Sequence, residues 1–179
     1  MPKSQNLLND NLIDFISKQH IFFVASAPLD KGHVNVSPKG LDTFTVINSN
    51  EVAYLDLTGS GVETIAHVKQ NGRLTIMFCA FEGEPKILRL FGKAQVIIPQ
   101  EAEFNSLMSN FPPRLGARAI IKLHIEKIRS SCGFGVPLMT YESERPDLDR
   151  WSLKKGPQGL EEYRKNKNAQ SIDGLEGLK

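Results

Sequence analysis

The chain has 179 residues, 40% of them hydrophobic and 23% charged, and a formal charge of +2. That length suits a single domain able to bury roughly two-thirds of its unfolded surface. The near-balanced charge, with no long Lys/Arg run, argues against nucleic-acid binding, and no stretch has the apolar length of a membrane span. The N-terminal residues lead into a helix with Leu8, Leu12, Phe15 and Ile16 on one stripe and lack the apolar core of a signal peptide, so the expected location is cytoplasmic. Cys79 and Cys132 are then expected to be reduced rather than paired.

Alternating apolar residues predict strands near 21–27, 33–37, 43–48 and 51–57. A short helix follows, then strands near 73–81 and 86–98, a helix over 100–109, and a long strand over 118–131. Pro28 to Gly32, Asn48 to Asn50 and Glu82 to Pro85 read as turns, so the strands pair antiparallel. Six or seven strands in so short a chain suit a small closed or split β-barrel, mainly β with flanking helices. From Tyr141 the composition turns polar, and helices are predicted near 147–154 and 160–167. The expected organisation is a barrel domain over 1–140 and a polar, partly helical tail over 141–179 packed on it. Trp151 either docks that tail or reaches a ligand.

The segment from Val52 to Gly72 carries the clearest chemistry. A strand ends in the turn Thr58-Gly59-Ser60-Gly61, and a helix begins near Val62 to Thr64, so its free N–H groups and positive dipole end face the turn. This is an arrangement for phosphate, with Thr58, Ser60, Thr64 and the Gly61 backbone as donors, or else an ordinary strand–turn–helix connection. It is neither a P-loop nor a dinucleotide fingerprint.

Positive charge has two sources in this reading. In Val34 to Gly40, Asn35, Ser37 and Lys39 share one face of a strand, and Pro38 puts that strand at a sheet edge or end. Lys39 either meets an anion there or sits solvated in an edge turn. Arg89, between Leu88 and Leu90, needs an anionic partner, which is a phosphate or one of Glu63 and Asp56. Lys86 is the next choice.

His20, His33, His67 and His124 have no metal-ligand spacing. His67 shares a helix face with Thr64 and either approaches the ligand or packs. Cys79 reads as a core residue. Cys132 precedes a Gly-Phe-Gly loop but has no neighbouring histidine to mark it as a nucleophile.

Taken together, the run Phe22 to Ala27, the strand Val34 to Gly40, the segment Tyr54 to Phe78 and Arg89-Leu90-Phe91-Gly92-Lys93-Ala94 resemble the pyridoxamine 5'-phosphate oxidase-like FMN-binding split-barrel proteins. The resemblance spans about Phe15 to Ile128. It implies an FMN-binding split β-barrel and a homodimer with the flavin in the interface. It also implies a ring lined by Asn35, Ser37 and Lys39 and a phosphate at the helix start, Glu63-Thr64. The vitamin B6 oxidases proper carry Ser-Arg-Lys where this chain has Val62-Glu63-Thr64, and their C-terminal substrate-gripping segment has no counterpart here. The oxidase-related subgroup therefore fits better than the B6 oxidase itself.

The expected function is a flavin-dependent oxidoreductase of unassigned substrate, its FMN phosphate held by Thr58, Ser60, Gly61, Thr64 and Arg89. The alternatives are a non-enzymatic binder of flavin, haem or another planar cofactor and a ligand-free structural module. Haem would require His67 or His124 to face the cleft.

Overall fold

The computed structural model describes residues 6–178. Helix α1 (Asp10–Ser17) starts at Asn9, whose Oδ1 accepts from the Leu12 N–H at 3.0 Å, and it buries the predicted Leu12 and Ile16. Strands β1 (Phe22–Ser26), β2 (Asn35–Lys39), β3 (Phe44–Asn48) and β4 (Glu51–Leu57) follow, then α2 (Glu63–Asn71), β5 (Arg73–Cys79), β6 (Ile87–Ile97), α3 (Ala102–Met108), β7 (Ala117–Ser131) and α4 (Asp147–Lys167). The strands form one antiparallel sheet in the order β2-β1-β5-β6-β7-β4-β3. It curls into a half-barrel with flanking helices, as a split barrel requires.

Part of the curl has a local cause. The β6–β7 register shifts between Phe91 and Gly92, and a Cβ on Gly92 would lie 1.9 Å from the His124 carbonyl oxygen, so glycine alone fits where the strands close up. Such a bulge bends and twists a strand pair. Pro38 sits in β2, an edge strand of the sheet, where its missing N–H breaks no inner ladder.

Two apolar clusters sandwich the sheet. Inside the curl, Phe22, Val24, Tyr54, Ile76, Phe78, Leu90, Ile121 and Leu123 meet Leu12 and Ile16 of α1 and Ile65 of α2. Outside it, Ala53, Leu55, Ile97 and Ile120 pack under Phe104, Leu107 and Phe111. Strand β4 is therefore buried from Val52 to Asp56 on both faces, and a charge within it needs partners.

The two predicted C-terminal helices are halves of α4, broken at Gly156 (φ 65°, ψ 174°) just before Pro157. Ser152, Leu160 and Asn168 are buried, and Leu178 packs against the inner cluster.

Candidate functional site

The β1–β2 register pairs Phe22 with Lys39, Val24 with Ser37 and Ser26 with Asn35. Paired residues share a face, so Asn35, Ser37 and Lys39 point into the curl while Val34 and Val36 point out. The inward row meets the start of α2: the Asn35 side-chain amide donates to Thr64 Oγ1 at 3.0 Å and to Ser37 Oγ at 3.1 Å. Three of the predicted residues are thus brought together. The Tyr54 hydroxyl is fully buried near Thr64 and has no hydrogen-bond partner of good geometry among the described residues. Burial, then the Asp56 charge, push its pKa well above the usual phenol value, so it is a neutral donor.

Lys39 is committed differently from a solvated edge lysine. Its Nζ lies 3.0 Å from Asp56 Oδ1, and Arg118 Nε donates to Asp56 Oδ2 at 2.6 Å. Burial alone would raise the Asp56 pKa, but the charges of Lys39 and Arg118 and their hydrogen bonds outweigh it and hold the carboxyl below its ordinary value.

Arg118 then shapes the turn. Its Nη2 donates to the Gly61 carbonyl at 2.7 Å, and its Nη1 donates to the Gly59 carbonyl at 3.3 Å and to Asn168 Oδ1 at 2.8 Å. The Asn168 amide in turn donates to the carbonyls of Gly59 and Ser60, at 2.9 and 3.4 Å. Three successive carbonyls therefore face Arg118 and Asn168. In planar trans peptides the following N–H groups, of Ser60, Gly61 and Val62, must point the opposite way. Among the described residues none of the three has an acceptor. Free N–H groups at a helix start are donors suited to an anion.

Ser60 and Gly61 are exposed at this turn, as a ligand contact requires. Neither Gly59 nor Gly61 adopts left-handed backbone. A Cβ on Gly61 would instead strike Glu63 Oε2 at 2.6 Å, while Glu63 Oε1 accepts from the Ile172 N–H at 3.3 Å.

Two predicted phosphate donors have other partners within this chain. Thr58 is fully buried; its hydroxyl donates to the Gly116 carbonyl at 2.8 Å and accepts from Arg164 Nε at 2.8 Å, so it anchors the turn from beneath. Arg89 is not brought to the turn within this chain: it stands in register with Met77 and Arg129, and its Nη1 donates to Ser131 Oγ at 3.1 Å. It alternates with the buried Leu88 and Leu90, so it lies on the other face of β6. Neither Glu63 nor Asp56 pairs with it.

The cations that do gather are Lys39 and Arg118, which share the Asp56 carboxylate, and Arg164, which bonds Thr58 beneath the turn. Arg118, like Arg89, sits in an apolar strand, Ala117-Arg118-Ala119-Ile120-Ile121, and needs an anionic partner for the same reason. Arg164 and Asn168 lie in the polar tail, where no local pattern marks them.

Other candidates resolve into packing. His67 is fully buried, its Nδ1 3.0 Å from Ser26 Oγ, and burial keeps its pKa below the usual value. Trp151 packs edge-on against Tyr163 at 5.0 Å within α4. Cys79 is buried and Cys132 exposed, both as free thiols. Among the described residues no cluster suits a metal ion and no helix is long and apolar enough to cross a membrane.

A curled antiparallel half-barrel with flanking helices defines a split-barrel protein. The pyridoxamine 5'-phosphate oxidase family model matches residues 8–132, and the chain belongs to that family. It is 42% identical over 197 residues to the pyridoxamine 5'-phosphate oxidase family protein ustO of Aspergillus flavus, spanning 99% of this chain and 78% of that protein. Similar folds include HupZ of Group A Streptococcus, with TM-score 0.57 and 20% identity, covering 70% of this chain and 94% of that one. A proposed pyridoxamine 5'-phosphate oxidase of Lactobacillus delbrueckii gives TM-score 0.56 and 18% identity, covering 70% and 95%.

Proposed function

We propose that the protein is a flavoprotein that binds FMN and acts as a flavin-dependent oxidoreductase. The observation that carries this reading is the turn itself: its three free N–H groups point outward, Arg118, Arg164 and Asn168 hold it from behind, and a single carboxylate, Asp56, is shared by Arg118 and the Lys39 of the inward row Asn35, Ser37 and Lys39. A phosphate dianion would offset the excess charge, and the unpartnered Tyr54 hydroxyl beside Thr64 offers a further donor. The residues present therefore fit a flavin phosphate, and flavin binding is common in this family.

When bound, the flavin supplies hydride acceptance and donation. Ser60, Gly61 and Val62 hold the phosphate by backbone N–H, and Thr64 and Asn35 bridge from that end to β2. Ser37 and Lys39 orient the ring, and the Lys39 ammonium, turned from Asp56 toward the ligand, stabilises negative charge on it. Arg89 has no part in this site within one chain.

The partner is a second copy of the chain. Val34 and Val36 are 72% and 61% exposed on the outer face of edge strand β2, beside the proposed ring site. The two free cysteines agree with a cytoplasmic location.

Absorbance and fluorescence titration with FMN tests the reading. Saturable binding, followed by reduction of the bound flavin under anaerobic conditions, supports it. A protein that leaves the FMN spectrum unchanged at all concentrations rejects it.

A further inference from the structure

Arg164 and Asn168 belong to α4 and its C-cap, beyond residues 8–132 where the family match ends. Both nevertheless reach the anion turn. Asn168 is fully buried and bonds the Gly59 and Ser60 carbonyls as well as Arg118. Arg164 donates its Nε to Thr58 Oγ1 and its Nη2 to the Ala117 carbonyl at 3.1 Å, so both partners are neutral.

Its charge has no carboxylate of its own. Glu161, one turn earlier, is held 2.8 Å from Lys165, and Asp56 is already shared by Lys39 and Arg118. Burial and then the Arg118 charge oppose protonation of Arg164, and the Glu161 charge offsets them only in part. A half-buried guanidinium beside another and without a carboxylate in salt-bridge contact is costly, and an anion in the turn above lowers that cost.

We propose that α4 backs the anion site from the carbonyl side of the turn. Arg164 supplies charge that selects a phosphorylated ligand over its phosphate-free form, and Asn168 fixes the turn so that its N–H groups face that phosphate. The identity of the ligand rests on the flavin reading above; the anion site does not.

FMN and riboflavin share a ring and differ in the phosphate, so they separate a charge effect from loss of structure. Fluorescence titration of Arg164→Gln with both is expected to lose about tenfold or more in FMN affinity while riboflavin affinity stays within about twofold. Arg164→Lys should recover part of the loss, and Asn168→Ala should show the same sparing of riboflavin. Equal losses for both flavins, or no loss for either, would overturn the proposal.

A parallel measurement uses inorganic phosphate alone. It should raise the melting temperature of the wild type by a few degrees and that of Arg164→Gln by less. That result in a protein that binds neither flavin would sink the flavin reading and leave the anion site standing. No phosphate effect on the wild type would remove the anion site.

Discussion

Arg118 Nε lies 2.6 Å from Oδ2 of Asp56, and both side chains are at least 95% buried, so the strand β7 guanidinium and the β4 carboxylate are each the other's main compensation. The opposite oxygen of Asp56 holds Lys39 of β2. One carboxylate thus ties together three strands that are far apart in the chain. Asp56→Asn leaves Arg118 and Lys39 without a counter-charge and is expected to cost about 3–5 kcal/mol by denaturant unfolding. A loss under about 1 kcal/mol would mean the cations relax into water.

Acid should expose the same pair. The folded-state pKa of Asp56 lies below its ordinary 3.8, so the unfolded chain binds the proton more readily. Its contribution is complete above that value and is lost as pH falls through the folded pKa. His67 adds an earlier loss, because burial lowers its pKa from 6.5 and its contribution fades as pH drops below 6.5 toward the folded value. Melting temperature against pH should fall in both windows, the upper fall flattening in His67→Gln and the lower in Asp56→Asn.

Arg89→Ala should leave FMN affinity unchanged and stability within about 0.5 kcal/mol, since its hydrogen bond to Ser131 is exposed. Titration of that variant beside the wild type checks it. A large loss of affinity would place Arg89 in a site completed by a second copy.

Lys39→Ala should weaken FMN binding by about tenfold or slow reduction of the bound flavin, because it removes a cation from the inward row. Equilibrium titration and anaerobic stopped-flow reduction separate the two effects. Unchanged values in both would remove Lys39 from the site.

Leu160 is 1% exposed on α4. Leu160→Ala should cost about 2–4 kcal/mol and loosen the second half of the helix, seen as faster amide exchange around Arg164 to Asn168. Unaltered exchange there would show that Leu160 does not hold the tail in place.

The sequence by itself determined the strands, the short helix stopped by Gly72, the break between the two C-terminal helices, and the inward row Asn35, Ser37 and Lys39. Each follows from a period of two or 3.6 or from a Gly or Pro, signals that lie within a few residues. It also marked the turn before Thr64 as a place for an anion. Which cations lie against that turn is set by the tertiary structure. Arg89 and Arg118 look alike locally, each set in an apolar strand, and their roles separate because β6 turns Arg89 to the other face of the sheet while β7 lays Arg118 against Asp56 and the turn. Thr58 is anchored beneath the turn, and Arg164 and Asn168 reach that turn, for the same reason. Their partners lie 47 to 109 residues away, so pairing depends on how the sheet curls and where α4 docks rather than on any neighbouring residue.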